Sequence, residues 1–279
     1  MVAVDGSGFA GAYDGRMALR PTAAFFDLDK TVIAKSSTLA FSKPFQAGGL
    51  ISRRAVLRSA YAQFVYLVGG ADHDQMEKMR QFMSQLCAGW EVATVREIVA
   101  DTLHNIVDPL VYDEAVSLIE EHHLAGRDVV IVSASGAEVV EPIAAMLGAD
   151  HVIATRMEIA DGRYTGGIEY YAYAEEKARA IEELALVHGY ELEECYAYSD
   201  SVTDVPMLSE VGHPFAVNPD KELRRVAGER GWPVLVFLRP VTLRSRVPAK
   251  PTLAALAIGG ALTVGGLAWM TVRRRRVSA

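Results

Sequence analysis

Short apolar runs rich in β-branched residues alternate along this chain with stretches of helical spacing, and this alternation limits the fold more than any other feature. The predicted strands are Ala23–Asp27, Asp128–Ser133, His151–Thr155, Cys195–Ser199, Pro214–Val217 and Val234–Leu238. The predicted helices between them are Ala137–Leu147, Ala174–His188, Asp204–Ser209 and Lys221–Arg230. Strands that alternate with helices form βαβ units, so the sequence predicts an α/β fold with a doubly wound parallel sheet. An Asp-Gly pair inside 157–168 predicts a β-hairpin.

The interval between the first two strands has almost no strand pattern and shows helical spacing instead. We predict a helical cap over 36–125, inserted into an α/β core made of 22–35 and 126–240. An insertion of this length far exceeds an ordinary βα connection. It leaves the sheet at the carboxyl end of the first strand, where doubly wound sheets bind ligands. The cap is therefore placed to cover a site.

The two ends of the chain have their own composition. Residues 1–21 contain Asp and many Gly without an apolar run typical of a signal peptide, and we interpret them as a disordered leader. Residues 241–251 form a basic linker and 273–279 a basic tail.

Between linker and tail, 252–272 is a segment without charge that would span about 31 Å as a helix, close to the thickness of a bilayer. We predict a single transmembrane helix, with a buried core helix as the alternative. The absence of an export signal favours a cell-membrane protein whose catalytic domain faces the cytoplasm. Ala257, Ala261 and Gly265 recur every fourth residue, which would favour a homodimer through this helix.

The charge and the cysteine content of the chain argue against several classes of protein. The net charge is −7 despite the Arg run near the end, so the chain lacks the basic surface that a nucleic-acid-binding protein needs. Cys87 and Cys195 lack the spacing of a zinc site and are too few for a disulfide scaffold. We expect two reduced thiols.

Two carboxylates lie at the end of the first predicted strand, with Asp27 as its last residue and Asp29 two residues further on. A carboxylate can attack a phosphoryl group, and Mg²⁺ can neutralise the phosphate through one or two carboxylates. A second acid two residues on can protonate the leaving alkoxide and later activate water. A calcium-binding EF-hand loop is excluded, because its sixth and twelfth positions would hold Val32 and Thr38. The metal site of a nucleotide-sugar transferase stays open at this point.

Polar groups at later strand and helix ends fit the phosphoryl-transfer interpretation. Ser133 ends the second strand, where its hydroxyl and nearby N–H groups would hold phosphate oxygens. Lys177, near the start of a helix, would balance the phosphate charge. Asp200 and Asp204 follow a further strand, and they would complete a Mg²⁺ site and support it from behind.

These motifs together resemble those of the haloacid dehalogenase superfamily. They appear in this chain as FFDLDKT, IVSAS, Lys177 and YSDSVTDVPML. The pattern is most similar to the subgroup that includes phosphoserine phosphatases. The resemblance covers roughly 22–238 and implies a Rossmann-like core with a helical cap. It implies these roles: Asp27 as nucleophile and metal ligand, Asp29 as general acid/base and backbone metal ligand, Ser133 and Lys177 as phosphate-binding residues, Asp200 as metal ligand, and Asp204 as a supporting residue. The cofactor it implies is Mg²⁺.

Two departures from the family pattern bear on the substrate and the site. Phosphoserine phosphatases resemble one another in placing a Glu where this chain has Ser36, after Lys35, which disfavours phosphoserine. Ser199 and Ser201 stand where glycines usually flank the last Asp motif. We expect a phosphomonoester hydrolase acting on a small or lipid-linked phosphate. The alternatives are a membrane-anchored regulator with little turnover and a phosphotransferase to an acceptor other than water.

Aromatic and histidine residues add weaker expectations. The insertion contains the aromatic residues Phe41, Phe45, Tyr61, Phe64, Tyr66 and Phe82. Most of them should form the core of the cap, and a few should face the cleft. His122 and His123 are interpreted as a solvated helix end.

Overall fold

A computed structural model of the chain describes residues 21–51 and 84–238. Its strands are β1 (Ala23–Asp27), β2 (Asp128–Gly136), β3 (His151–Ala160), β4 (Arg163–Tyr170), β5 (Tyr196–Ser199), β6 (His213–Val217) and β7 (Val234–Leu235). They form one sheet in the order β4-β3-β2-β1-β5-β6-β7. Every neighbouring pair is parallel except β3 and β4. The predicted parallel sheet is confirmed, with one antiparallel edge strand added by the hairpin.

Helices cover both faces of this sheet. They are α1 (Ser37–Ala40), α2 (Ser42–Ala47), α3 (Val92–Val107), α4 (Asp113–Leu124), α5 (Ala137–Leu147), α6 (Glu175–His188), α7 (Val205–Ser209) and α8 (Lys221–Arg230). In β1, Ala24 and Phe26 join a core that includes α4 and α5, whereas Ala23 and Phe25 join a core that includes α6, α7 and α8. Because β1 is buried on both faces, it reads as a continuous apolar run. The doubly wound α/β class is confirmed.

The predicted hairpin is confirmed, and it also supports the insertion. Asp161 and Gly162 both have positive φ, 50° and 74°, as a two-residue type I′ turn requires. Tyr164 donates its backbone N–H to the Trp90 carbonyl at 3.1 Å and accepts from Gly89 at 2.8 Å. Val92 donates to the Gly162 carbonyl at 3.0 Å. These bonds attach the segment before α3 to the hairpin.

Helix α4 lies inside the predicted cap interval, yet it packs on the sheet. His122 of α4 lies 2.9 Å from the hydroxyl of Tyr198 in β5, and its ring lies 5.8 Å from that of Phe26 in β1. A parallel β1–β2 connection needs a crossover element against the sheet, and α4 provides it. A cap that reached residue 125 would include this core helix.

The interpretation of His122 as solvated is wrong, because its side chain is buried, whereas that of His123 is exposed. Burial, with the charges of Arg127 and His123, lowers the pKa of His122 to about 4. The unfolded chain, with an ordinary His pKa near ~6.5, therefore binds the proton more readily than the folded chain between these values. The stability that His122 contributes is present above about pH 6.5 and is lost as the pH falls toward 4.

We expect the wild-type protein to lose on the order of 2 kcal/mol of unfolding free energy between pH 6.5 and 4 through His122. His122→Gln should be less stable near pH 7 and should lack this part of the pH dependence. Urea unfolding across the range measures it, with the exposed His123→Gln as the matched control. Parallel pH curves for wild type and His122→Gln would contradict the assignment.

Several sequence-based expectations lie outside the described residues. These are the leader apart from Pro21, the middle of the predicted cap, the basic linker, the transmembrane segment 252–272 and the tail. Within 21–51 and 84–238, no helix combines the length and apolarity needed to cross a membrane.

Candidate active site

The carboxyl ends of the central strands converge at one edge of the sheet. β1 lies between β2 and β5, with Asp27 opposite Val132 and Phe26 opposite Tyr198. Asp27 therefore lies beside Ser133, the next residue of β2, and Asp200 follows β5 directly. From β1 the chain proceeds to one side of the sheet and later returns to the other, so this edge is a topological switch point, where doubly wound folds bind ligands.

Lys177 is the electrostatic centre of the site. Its Nζ lies 2.7 Å from Oδ1 of Asp27 and 2.8 Å from Oδ2 of Asp204, and all three side chains are almost fully buried. Burial alone would lower the pKa of Lys177, but the charges of Asp204 and Asp27 outweigh it and hold that pKa above its ordinary value. Lys177 is therefore a cation fixed beside the Asp27 carboxylate.

Hydroxyl groups hold the two partners of Lys177. Thr31 donates from Oγ1 to Oδ2 of Asp27 at 3.0 Å. Ser199 donates from Oγ to Oδ2 of Asp204 at 2.7 Å, and it accepts from the N–H of Ser201 at 3.2 Å. Serine at position 199, where the family pattern has glycine, thus has a contact of its own.

Among the described residues of the site, the carboxylates outnumber the cations Lys177 and Lys30, which suits a metal. Burial raises the pKa of Asp27 to about 8, against the lowering effect of Lys177. Burial likewise raises the pKa of Asp200 to about 7, against the charge of Lys30. Buried carboxylates whose charged form is disfavoured in this way suit a divalent cation, which would supply the missing positive charge. Asp27 and Asp200 are oxygen donors, the type that Mg²⁺ prefers.

Asp29 is partly exposed and held at both carboxylate oxygens. The N–H of Ser37, at the start of the insertion, donates to Oδ1 at 2.6 Å, and Ser135 of β2 donates from Oγ to Oδ2 at 2.9 Å. The hydroxyls of Ser37 and Thr38 lie 2.9 and 3.2 Å from the Ser135 Oγ. Sequence reasoning missed these three residues, although all of them lie in the hydroxyl-rich segments SST and SAS.

Ser133 lies where a phosphate-binding hydroxyl was predicted, near the carboxyl end of β2 and beside Asp27. It is buried, and its Oγ accepts from the N–H of Ser135 at 3.1 Å. The structure thus brings Lys177 into direct contact with Asp27 and Asp204. Ser133, Asp29 and Asp200 lie near the carboxyl ends of β2, β1 and β5.

A sequence model of the haloacid dehalogenase-like hydrolase family matches residues 24–209, which span every group of this site. The chain belongs to this family. The haloacid dehalogenase fold predicted from the motifs is confirmed.

Relatives along most of the chain support the same family. A Streptomyces azureus protein called inhibition of morphological differentiation protein is 66% identical over 261 residues, 91% of this chain and 94% of its own. A Mycobacterium tuberculosis protein named as a probable phosphatase is 63% identical over 247 residues, 88% of this chain and 86% of its own. A phosphoserine phosphatase of the same organism is 35% identical over 242 residues, 86% and 78% of the two chains.

Solved structures share the fold. A Bordetella pertussis protein of unknown function is 32% identical, with a TM-score of 0.69 over 77% of this chain and 98% of its own. A phosphoserine phosphatase, solved as an analogue of its phospho-aspartyl intermediate, is 20% identical with a TM-score of 0.58, over 79% of this chain and 95% of its own.

Proposed function

We propose that this hydrolase is a Mg²⁺-dependent phosphomonoester phosphatase that acts through an aspartyl-phosphate on Asp27. The observation that carries the proposal is the buried Asp27–Lys177–Asp204 arrangement with Asp29 two residues from Asp27. A nucleophile beside a fixed cation, with an acid at the mouth of the site, is what phosphoryl transfer to a carboxylate needs.

The residues divide the reaction into two displacements. A carboxylate oxygen of Asp27 attacks phosphorus, and the bond from phosphorus to the ester oxygen breaks. Asp29, protonated, gives its proton to the leaving alkoxide. Asp29, now a carboxylate, takes a proton from water, whose oxygen attacks the phosphoryl group and frees Asp27 and inorganic phosphate. Lys177 and Ser133 hold the phosphoryl oxygens in both steps.

Asp27, Asp200 and the backbone carbonyl of Asp29 are the groups that would hold Mg²⁺. When bound, the ion supplies positive charge to the phosphoryl oxygens. We expect the full-length protein in detergent to hydrolyse p-nitrophenyl phosphate, to lose this activity in EDTA and to recover it with Mg²⁺. Asp200→Asn should raise the Mg²⁺ concentration for half-maximal activity by roughly 10- to 100-fold, because it removes a charged ligand. Full activity in EDTA would overturn the metal assignment.

For the substrate we propose a small phosphoester rather than phosphoserine. Ser36 is the residue preceding α1, and it offers no carboxylate for an amino group in this loop. The cavity lined by Ser135, which donates to Asp29, has a volume of about 280 Å³, near the lower limit of small-molecule sites. A phosphatase screen that found phosphoserine the best substrate by kcat/KM would refute this preference.

We further propose that 252–272 tethers the domain to the cytoplasmic face of the cell membrane, with a lipid-linked phosphate as the alternative substrate. The support is the length and apolarity of the segment together with the following Arg run. Tethering raises the local concentration of an enzyme at its surface. Membrane fractionation of the full-length chain against one ending at residue 244 tests the anchor. Recovery of both forms in the soluble fraction would exclude it.

A regulatory role without turnover is the second candidate. It is favoured by the name of the Streptomyces azureus relative, which describes an inhibition of differentiation. The intact set of Asp27, Asp29, Lys177 and Asp200 favours turnover instead. Expression of Asp27→Asn separates the two: an unchanged cellular effect would support the regulator, and its loss the phosphatase.

A further inference from the structure

A cavity opens beside Ser135, the residue that contacts the proposed general acid Asp29. Its described lining includes Ser135, whose Oγ donates to Asp29, and Thr38, whose hydroxyl contacts Ser135. Asp29 protonates the oxygen that leaves with the alcohol of the ester. Because Ser135 both lines the cavity and contacts Asp29, the cavity is available to the alcohol part of the substrate.

The described walls of this cavity are mostly apolar and aromatic. Phe45 and Trp90 come from the insertion, with ring centroids 5.9 Å apart, and the hairpin contributes Met157, Tyr164 and Ile168. Such walls bury an apolar or ring-bearing body by the hydrophobic effect. The expectation that some cap aromatics face the cleft is met by Phe45.

Glu138 is the exception among the described lining residues, since it is the one that carries a formal charge. It lies in the first turn of α5, five residues after Ser133, and only 7% of it is exposed. Ser133, proposed to bind phosphate, and this carboxylate thus lie on either side of the junction between β2 and α5.

Among residues 21–51 and 84–238, the cation paired with Glu138 is Arg96. Glu138 also helps to raise the pKa of the nearby Tyr164 hydroxyl, which brings no charge of its own. The Arg96 guanidinium lies 3.6 Å from Oε1, beyond hydrogen-bond distance, and 63% of its side chain is exposed to screening by water. The negative charge of Glu138 acts on other residues that line the cavity. Burial, together with Glu138, raises the pKa of Cys87 to about 11 and also raises that of Tyr164.

We propose that Glu138 receives a cationic group of the substrate, and that the substrate is the phosphate monoester of an amino alcohol with an apolar or aromatic body. This inference rests on the phosphatase function proposed above. An ammonium in the cavity would form a charge-assisted hydrogen bond with a carboxylate that water reaches poorly. Glu138 offers, from the core, the acid that position 36 lacks. Lys35 is exposed and is not part of the described cavity wall, so it does not repel such a group there.

The test uses the full-length protein in detergent with Mg²⁺ and two esters that differ only in the amine: the phosphates of phenylalaninol and of 3-phenyl-1-propanol. We expect the wild type to favour the amino ester by roughly 10- to 100-fold in kcat/KM, the range of one buried charged hydrogen bond. Equal kcat/KM values for both, with phosphate release that depends on Asp27, would overturn the inference and leave the phosphatase function intact. Release from neither ester nor p-nitrophenyl phosphate would overturn the phosphatase function itself.

Glu138→Gln keeps the shape and removes the charge. We expect it to abolish the preference by slowing hydrolysis of the amino ester, with the rate on the neutral ester within about threefold of wild type. The matched control is Glu141→Gln, an exposed position on the same helix, which should retain the preference. A folded Glu138→Gln protein that still favours the amino ester would overturn the role of Glu138. If this variant does not fold, the comparison of the two esters in the wild type still decides the substrate class.

Discussion

Asp27→Asn should abolish phosphate release, with a loss of at least about 10³-fold in kcat, because the amide cannot form the aspartyl-phosphate. Asn has nearly the shape of Asp, so the buried strand end at β1 stays filled. Lys177 loses one partner but keeps Asp204 at 2.8 Å. We therefore expect the variant to remain folded, with an unfolding free energy within about 2 kcal/mol of wild type.

Phosphate release from p-nitrophenyl phosphate under Mg²⁺ measures the effect, and thermal unfolding without metal checks the fold. Asp29→Asn is the informative companion, because it leaves the nucleophile and removes the proton donor. It should slow the hydrolysis of alkyl phosphates, whose alcohols leave poorly, more than that of p-nitrophenyl phosphate, because p-nitrophenol leaves without protonation. Equal activity of Asp27→Asn and wild type would refute the mechanism.

Lys177→Met should cost both activity and stability. The change removes the ammonium between Asp27 and Asp204 and leaves two nearly buried carboxylates facing each other. Breaking a buried ion pair by deleting one partner costs about 3–5 kcal/mol. Activity should fall by about 10³-fold or more, since the phosphoryl oxygens lose their fixed cation. Urea unfolding and kcat measure the two losses, and the exposed Lys221→Met is the surface control.

A second substitution separates the two roles of Lys177. In Lys177→Met with Asp204→Asn, the uncompensated charge is reduced, so we expect roughly half or more of the lost stability to return. Activity should not return, because the cation is still absent. If the urea midpoint of unfolding of Lys177→Met equalled that of the wild type, the buried ion pairs would not contribute to stability.

The strands and most helices were predictable because their signals are local. β1 is buried on both faces and reads as an unbroken apolar run, and Ala137–Leu147 and Lys221–Arg230 coincide with the predicted helices. The Asp-Gly turn of the hairpin follows from its need for two positive φ angles. Strand ends at Asp27, Ser133 and Ser199 placed the polar groups on one edge, because the pattern also predicted a parallel sheet.

What escaped prediction depends on contacts between distant parts of the chain. Ser37 and Ser135 are 98 residues apart and meet only when the insertion reaches the end of β2. Single hydroxyl groups near the ends of helices and strands carry no periodic pattern that would reveal such a contact. The burial of His122 had a signal that was overlooked: Ala115, Ile119 and His122 follow helical spacing along one buried stripe, which His123 leaves.

The bridge made by Lys177 also sets when the protein can become active during synthesis. Asp27 leaves the ribosome early, but its partner follows 150 residues later, and Asp204 a further 27. The central strand β1 is thus synthesised first, and it pairs with its neighbour β5 only after β5 has been synthesised. Chains arrested before residue 204 have no complete site, whatever local structure they have formed. Enzymatic activity is therefore a late reporter of folding, suited to following the final docking of β5 and its turn against β1.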